Sequence, residues 1–510
     1  MQIPAKVDVL VVGGGINGAG IARDLAGRGL SVLLCEQHDL AAHTSSSSTK
    51  LIHGGLRYLE YYEFALVRKS LAEREVLMRS APHIMWPLRF VMPHDPSMRP
   101  VWMIRAGLFL YDHLARRELL PASATVRLRE HPAGGPLKPH FTKGFVYSDG
   151  WVDDARLVVL NAMDAQRLGA TVLTRCRCER VVAENGQWCA SLRLEEAGDE
   201  SVQPVRARAL INAAGPWTAR FLGEQLGQVG AEALRLVKGS HIVVPKLFDH
   251  GFAYIFQNAD KRIIFLIPYE REFTLIGTTE IEWNGELGDV RIDASEVEYL
   301  CQQASRYLVR TVVPGDVVWS YAGVRPLLDD EAGDASAVTR DYRLDLDQAR
   351  APLLSVWGGK ITTYRKLAEE AADMLCTSLG VRAAHWTEHA MLPGGDLSGW
   401  IDVSGRPEAD IARFEQALAA RRPELGLELC RRWSRSYGAL VERILESGDL
   451  GREVARGLFE AELDYLRAHE WARSGDDVLW RRSKLGLHMS ESERAAVAGW
   501  WTPQVGMRTN

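Results

Sequence analysis

The sequence lacks four features that would each define a class of protein. None of its apolar runs reaches the ~20 residues of a membrane-spanning helix, and residues 1–5, before the first apolar run, are too few for a secretory leader. Its 61 basic and 66 acidic residues give a net charge of −5, so the whole protein does not attract nucleic acid. Its seven cysteines are scattered and odd in number, which favours a reducing compartment over a disulfide framework.

Two short patterns resemble metal sites, and neither is well supported. Cys176 and Cys178 alternate on a predicted strand, but no second pair lies at zinc-like spacing, so ordinary thiols are favoured. Residues 385–389 fit the inverted zinc-protease pattern H-x-x-E-H, which requires a helix. Because a proline and two glycines follow at 393–395, we expect ordinary histidines there and no metal site.

A turn rich in glycine follows the first predicted strand. That strand covers 7–12 and leads into a set of small or polar residues at the start of a helix: Gly13, Gly14, Gly15, Asn17 and Gly18. Such a turn lets backbone N–H groups approach a pyrophosphate at the helix N-terminus. Glu36, at the end of the next strand, is placed to accept hydrogen bonds from ribose hydroxyls. The unit predicts a dinucleotide site, and the alternative is a structural turn with a solvated Glu36.

A second polar segment comes directly afterwards. It joins a serine-rich stretch to a glycine pair through these candidate cofactor contacts: Thr44, Ser45, Ser46, Ser48, Thr49, Lys50, His53, Gly54 and Gly55. Hydroxyl, ammonium and free backbone N–H groups at this density suit a phosphate. Two phosphate-binding units in succession favour a flavin dinucleotide over a loosely held nicotinamide.

Two later turns predict that the chain returns to the same cofactor. A buried strand over 209–213 ends at a glycine turn that contains Ala214, Gly215 and Trp217. A strand over 353–357 leads through a glycine pair into a helix over 365–379, and the free N–H groups at such a helix start suit the pyrimidine end of a reduced flavin. The candidate contacts there are Gly359, Lys360, Ile361 and Thr362, although a glycine pair before a helix is also an ordinary connector.

The predicted elements divide the chain into three domains of an α/β protein. Strands and helices alternate in a discontinuous Rossmann-like domain with two dinucleotide folds, short strands form a largely antiparallel cap that binds substrate, and the remainder is all helical. The boundaries are 1–75, 145–236 and 341–380 for the first domain, 76–144 and 237–340 for the cap, and 390–510 for the helical domain.

A series of motifs stands in order along nearly the whole chain. They are Gly-Gly-Gly-Ile-Asn-Gly-Ala-Gly at 13–20, Ser-Ser-Thr-Lys-Leu-Ile-His-Gly-Gly-Leu-Arg-Tyr-Leu-Glu at 47–60, Tyr-Ser-Asp at 147–149, Trp-Val-Asp-Asp-Ala-Arg-Leu at 151–157, Lys-Gly-Ser-His-Ile-Val-Val-Pro at 238–245, Gly-Val-Arg-Pro-Leu at 323–327 and Gly-Gly-Lys-Ile-Thr-Thr-Tyr-Arg-Lys at 358–366. Together they resemble the FAD-dependent glycerol-3-phosphate dehydrogenases of bacterial aerobic metabolism. Two departures are small: Gly150 stands where the family pattern has Cys, and Glu280 stands where it has Asp.

The resemblance implies oxidation of sn-glycerol 3-phosphate to dihydroxyacetone phosphate by hydride transfer from C2 to FAD N5. Electrons would pass to a ubiquinone-type membrane quinone, and we expect a homodimer on the cytoplasmic face of the bacterial inner membrane. A related FAD-dependent amino-acid oxidase is one alternative, which would need a carboxylate clamp and would release hydrogen peroxide. A non-catalytic FAD-binding redox sensor is the other.

Substrate binding requires a cationic site for the phosphate. Arg325 and Arg340 are the candidates, because a guanidinium group matches two phosphate oxygens at once. Arg340 is equally suited to an ion pair with Asp341. Thr278 is a further candidate for contact with the substrate.

The oxidation also requires a base and charge near the flavin. His241 is the candidate base by residue type, although a single histidine on a strand is usually a satisfied core residue. Arg57 and Tyr58 are candidates for the substrate hydroxyls or the developing ketone oxygen, and the alternative for Arg57 is an ion pair with Glu60. Lys360 would stabilise negative charge on the reduced flavin, or else is an exposed lysine at a helix start.

Contact with a membrane quinone requires access to the bilayer. Residues 85–92 and 101–111, followed by arginines at 116–117, mix large apolar side chains with arginines as an interfacial helix does. A core helix and a dimer contact are equally compatible with this pattern.

Overall fold

The computed structural model describes residues 3–96, 98–195, 202–228, 234–258, 260, 262–328 and 341–501. The strands are β1 (Lys6–Val12), β2 (Val32–Cys35), β3 (Leu51–Ile52), β4 (Met85–Pro93), β5 (Ala124–Arg127), β6 (Lys143–Val152), β7 (Thr171–Leu173), β8 (Cys176–Glu184), β9 (Gln187–Leu194), β10 (Val202–Asn212), β11 (Leu234–Pro245), β12 (Ala253–Gln257), β13 (Ile263–Tyr269), β14 (Phe273–Gly277), β15 (Ile281–Glu282), β16 (Trp319–Leu328), β17 (Tyr342–Asp347), β18 (Leu353–Gly358), β19 (Glu453–Ala455) and β20 (Leu458–Phe459). The α-helices are α1 (Ile16–Gly27), α2 (Phe64–Ser80), α3 (Val101–His113), α4 (Asp154–Arg167), α5 (Thr218–Glu224), α6 (Ala294–Tyr307), α7 (Tyr364–Leu379), α8 (Pro407–Arg421), α9 (Gly426–Tyr437), α10 (Val441–Leu445), α11 (Glu460–His469) and α12 (Glu491–Trp500).

The first sheet is the Rossmann-like layer that the alternating pattern predicts. Its central path is β17-β18-β10-β1-β2-β7, with β8 and β9 attached through β10, and the pairs around β1 are parallel. Val9 and Val11 pack with helices on one face, whereas Val7 and Leu10 pack with the β8–β9 hairpin on the other. Because residues 9–12 of β1 are buried on both faces, they form a continuous apolar run. Strands β1, β10 and β18 run parallel, so the glycine turns that follow them lie together at the carboxyl end of this sheet.

The second sheet has ten strands in the path β15-β11-β14-β13-β12-β4-β6-β3, with β16 beside β11 and β5 beside β6. It is largely antiparallel, as predicted, and among the described residues β4 and β12 are its only parallel pair. The predicted domain boundaries need correction here, since β3 and the whole of β6 belong to this sheet. β6 pairs with β4 over nine residues, a long-range register that local periodicity does not reveal.

Of the two segments with the pattern of an interfacial helix, one is a helix and the other is a strand. Residues 101–113 do form a helix, α3, but residues 85–93 form β4, a central strand. Phe90 and Met92 face one apolar core while Val91 faces another. An apolar run of this length fits a buried strand as well as a helix, and pairing with β6 decides between them.

The C-terminal region is mainly helical, but the prediction that it is all helical is wrong. β19 and β20 form a short antiparallel hairpin between α10 and α11. The apolar core of the first domain continues without a break into this region, since Leu157 and Val159 belong to the same buried cluster as Trp433 and Leu466. No helix in the described parts of the chain is both long and apolar enough to cross a bilayer.

Candidate active site

The first glycine turn opens a groove at the carboxyl end of β1. Gly13 has φ +112°, and a Cβ added there would lie 2.4 Å from the carbonyl oxygen of Ala213, so only glycine fits. Glu36 accepts hydrogen bonds from the N–H groups of Gly14 (2.7 Å) and His38 (2.8 Å). Burial raises the pKa of Glu36, which these two N–H donors oppose.

The predicted contacts in the wall of this groove come from three parts of the chain. Its lining includes the predicted contacts Gly13, Gly15, Glu36, Thr44, Ser45, Ala214, Gly215 and Trp217. Helix α1 begins at the groove without a side-chain cap, and the Ile16 N–H donates to Ser45 Oγ at 3.0 Å. Free N–H groups at this helix start favour an anion.

Two residues that the sequence did not single out also line this groove. His38 and His43 lie with their ring nitrogens 2.9 Å apart, and the ring of His43 packs against Trp217 with centroids 4.7 Å apart. Burial lowers the pKa of His43 to about 4, so the ring is neutral at pH 7. Histidines in a loop carry no periodic signal, and only the fold brings them beside Trp217.

A second cavity continues from Thr44 and Ser45 toward the second sheet. Its lining includes the predicted contacts Ser48, Thr49, His53, Gly55, Arg57, Tyr58, Thr278, Arg325, Gly359, Lys360, Ile361 and Thr362. The two sheets thus meet at one continuous site, with the glycine turns at one end and three cationic side chains at the other.

The cations of the second cavity contact polar or aromatic neighbours. Arg325 lies 3.4 Å from the hydroxyl of Thr278 and 3.5 Å from the carboxylate of Glu280. Lys360 Nζ lies 3.8 Å from the ring centroid of Tyr58, a cation–π contact. An anionic group entering the cavity would therefore meet positive charge from β16, through Arg325, and from the turn after β18, through Lys360.

Arg57 is not held by Glu60, the alternative that the sequence left open. Glu60 pairs with Arg99 at 3.1 Å, and the Arg57 guanidinium lies 3.5 Å from the hydroxyl of Tyr61. Arg57 lines the cavity and faces the space between the two sheets.

His241 lies one layer behind the cavity wall. Its Nε2 is 2.9 Å from the hydroxyl of Thr49, which does line the cavity, and its ring stacks on Tyr321 with centroids 4.7 Å apart. Burial, helped by Arg325 and Lys50, lowers the pKa of His241 well below 6.5. Thr49 therefore stands between His241 and the cavity, and the role of His241 as the base stays a prediction.

Lys50 and Ser46 are not cavity contacts either. The ammonium group of Lys50 is buried, donating to Asp154 at 2.8 Å and to the Ser46 carbonyl at 3.1 Å. A fully buried carboxylate such as Asp154 requires a countercharge, and Lys50 supplies it. The predicted role of Lys50 as a phosphate contact is wrong for this reason.

The remaining predicted residues lie behind the cavity lining or fall outside the described residues. Asn17 donates to the carbonyl of Gly358 at 3.2 Å, which ties the first glycine turn to the last one. Gly14, Gly18 and Gly54 lie behind the lining. Arg340 falls outside the described residues.

Sequence comparison finds relatives along nearly the whole chain. A family model for FAD dependent oxidoreductases matches residues 8–365. The chain is 53% identical over 496 residues to a glycerol-3-phosphate dehydrogenase of Pseudomonas aeruginosa, covering 96% of this chain and 94% of that protein. It is 48% identical to a D-erythritol 1-phosphate dehydrogenase of Brucella abortus, covering 98% and 99%. A solved glycerol-3-phosphate dehydrogenase from Bacillus halodurans complexed with FAD is 26% identical, with a TM-score of 0.75 over 98% of this chain and 92% of that one.

These matches decide the family. The chain belongs to the family of FAD-dependent glycerol-3-phosphate dehydrogenases. Its cofactor is FAD, and the predictions of fold, cofactor and enzyme class are confirmed.

The residues of this site fit FAD. The close approach of Gly13 to Ala213 leaves a cradle that a side chain would fill, and Glu36 keeps free carboxylate lone pairs beside it. These groups would hold the adenosine and pyrophosphate, while Gly359, Lys360 and Thr362 would border the flavin. Asp149 is a lining residue that the sequence did not predict; its signal was its place in the Tyr-Ser-Asp motif.

Proposed function

We propose that this protein oxidises the C2 hydroxyl of sn-glycerol 3-phosphate to give dihydroxyacetone phosphate and passes the electrons to a ubiquinone-type quinone. The observation that carries the proposal is the continuous site between the two sheets. It joins a dinucleotide groove to a cavity with Arg57, Arg325 and Lys360 on its wall. A small dianionic alcohol matches this arrangement of charge.

Arg325 binds the substrate phosphate in this proposal. Its guanidinium can donate two parallel hydrogen bonds to phosphate oxygens, and the hydroxyl of Thr278 lies beside it to donate a third. Arg340 remains a predicted second phosphate contact. Arg57 and Tyr58, which line the same cavity, contact the substrate hydroxyls and the developing ketone oxygen in this proposal.

Thr49 and His241 form the proposed path for the hydroxyl proton. Thr49 Oγ1 accepts the proton from the C2 hydroxyl and delivers its own to His241 Nε2, 2.9 Å away. The low pKa of His241 keeps its ring neutral near pH 7, which is the form that accepts a proton. FAD, when bound, supplies the acceptor for the C2 hydride, and Lys360 places positive charge at that end of the site.

An anaerobic titration tests the central claim. Addition of sn-glycerol 3-phosphate to the purified holoprotein should bleach the oxidised flavin band with one equivalent of substrate, and a persistent band would overturn the claim. D-erythritol 1-phosphate, the compound named for the Brucella relative, is the matched competitor. Faster bleaching by that compound would move the proposal to a four-carbon substrate.

The electron acceptor needs a separate assay. With a soluble ubiquinone analogue, turnover should reduce quinone and release little hydrogen peroxide. Stoichiometric peroxide without quinone reduction would instead support the oxidase alternative, and no bleaching by any polyol phosphate would support the redox-sensor alternative.

We further propose peripheral attachment to the cytoplasmic face of the bacterial inner membrane through α3. Trp102 and Phe109 on this helix are 69% and 60% exposed, and Arg105 lies between them. Exposed aromatic side chains beside arginines suit the interface of an anionic bilayer. The homodimer remains a prediction, which light scattering of the purified holoprotein would test.

A further inference from the structure

Helix α3 packs on the body of the protein mainly through one face, where two of its side chains are buried. Only Leu108 and Tyr111 are buried among its thirteen residues. The Tyr111 hydroxyl donates to the Asp149 carboxylate at 2.8 Å and accepts from the N–H of Gly54 at 2.9 Å. One buried hydroxyl thus connects α3 with a residue of the cavity wall and with the backbone before Arg57.

Asp149, at the other end of this hydrogen-bond network, is held by a buried ion pair. Asp149 is buried and pairs with Arg74 Nη1 at 2.7 Å, and Arg74 also donates to the Ser148 carbonyl at 3.0 Å. The Gly54 N–H has a second, longer contact to Asp149 at 3.3 Å. Tyr111 therefore provides the shorter of the two hydrogen bonds to Gly54.

Gly54 leads directly into the residues proposed to bind substrate. The chain turns at Gly55 and continues as a 3-10 helix over Leu56–Tyr61, which carries Arg57 and Tyr58 onto the cavity wall. A Cβ added at Gly54 would lie 2.7 Å from the Tyr111 hydroxyl oxygen, so the backbone rests directly on that group. A displacement of Gly54 would displace Arg57 with it.

We infer that Tyr111 is a positioning residue of the active site, which fixes the Gly54 backbone and with it the placement of Arg57 and Tyr58. The inference rests on the proposed function only for the roles of Arg57 and Tyr58. The hydrogen bonds of Tyr111 stand independently of those roles. Membrane attachment of α3 is not needed for it.

The substitution Tyr111→Phe tests the inference because it removes the hydroxyl and keeps the ring. The matched control is Tyr437→Phe, since the Tyr437 hydroxyl also donates to a buried carboxylate, Glu462, at 2.6 Å, but lies in the C-terminal region. Both variants lose the same type of hydrogen bond, so a general loss of stability affects both.

Amide hydrogen exchange on the holoprotein is the first measurement. The peptide covering residues 51–62 should exchange about tenfold faster in Tyr111→Phe, the change expected for one lost buried hydrogen bond, and should be unchanged in Tyr437→Phe. Equal exchange of that peptide in both variants would overturn the inference. This readout needs no substrate, so it decides the question even if glycerol 3-phosphate proves not to be oxidised.

Steady-state kinetics is the second measurement, made once the substrate is established. The KM of Tyr111→Phe should rise about fivefold with a smaller change in kcat, because weaker placement of Arg57 reduces binding more than chemistry. Tyr437→Phe should keep the wild-type KM. A wild-type KM in both variants would contradict the assignment of Tyr111 to substrate positioning.

Discussion

Arg325, the proposed phosphate contact, is held in place by the residues beside it. Its neighbours Thr278 and Glu280 come from the segment after β14, so the guanidinium is held near the wall between two strands. Glu280 restrains its position but also competes with a phosphate for the same donors. The shape of the donor group should therefore matter as much as its charge.

Arg325→Lys tests that point. Lysine keeps the charge but cannot form two parallel bonds, so we expect a loss of about 2 kcal/mol in substrate binding, or about thirtyfold in KM. The KM for glycerol 3-phosphate is the measurement, and Arg116→Lys, at an 88% exposed side chain, is the control. A threefold change or less would show that the phosphate binds elsewhere.

Residue types at the site were easier to predict than their contacts. Thr49 and Lys50 are adjacent in one polar motif, yet Thr49 lines the cavity while Lys50 neutralises Asp154, 104 residues away. His241 was identified by its chemistry, but the intervening Thr49 hydroxyl follows from packing between distant strands. Motifs predict which residues gather at a site, whereas burial and long-range charge pairing decide which of them face the substrate.

Buried histidines should make the stability of this protein depend on pH. Burial lowers the pKa of His83 to about 3, and neither ring nitrogen has a hydrogen-bond partner in the described part of the chain. Below pH 6.5, the ordinary pKa of histidine, His83 binds a proton in the unfolded chain but stays neutral in the folded chain. Stability is therefore complete above pH 6.5 and declines as the pH falls.

His83→Gln should reduce that decline. The loss of unfolding free energy between pH 6.5 and 5.0 should be smaller than in the wild type by about 1.4 kcal/mol per pH unit at most. Urea unfolding at the two pH values measures it, with the exposed His140→Gln as the control. Identical pH dependence in all three proteins would contradict a neutral, buried His83.

Among the elements, some have a local signal in the sequence and others have none. The hairpin of β8 and β9 turns at Asn185 and Gly186, both with positive φ, as its Asn-Gly sequence predicts. Helix α4 begins where Asp153 caps the N–H of Arg156. By contrast, β4 lacks a local signal, because its apolar residues are buried on both faces and resemble a helix in composition.

Helix α3 carries the element-scale prediction. Replacing Trp102 and Phe109 by Ser should weaken flotation with anionic vesicles at least about tenfold, because each exposed aromatic contributes on the order of 1–2 kcal/mol of apolar burial at an interface. Leu427→Ser, at a residue 77% exposed on α9, is the control for a general loss of surface apolarity. Equal flotation of all the proteins would place the membrane contact elsewhere.

At the scale of the whole molecule, the C-terminal region docks beside the cofactor groove through buried ion pairs. Asp39, three residues beyond Glu36, pairs with Arg482 Nη2 at 2.8 Å and with Arg481 Nε at 2.6 Å. Arg156 of α4 pairs with Glu470 in a second buried contact between the same regions. These contacts join residues more than 300 positions apart, so composition and periodicity could predict the helical region but not its attachment.

These ion pairs predict that the affinity for FAD depends on Asp39, even if Asp39 does not touch FAD. Asp39→Asn removes the carboxylate that Arg482 pairs with and leaves Arg481 with Asp477 alone, which should cost about 3 kcal/mol of stability and loosen the segment between Glu36 and His43. Glu470→Gln weakens the other pair and should lower stability comparably without loosening that segment. Fluorescence titration of apoprotein with FAD should then give at least a tenfold higher Kd for Asp39→Asn alone, about 1.4 kcal/mol. Equal Kd values in the two variants would mean that the C-terminal region stabilises the fold without shaping the cofactor site.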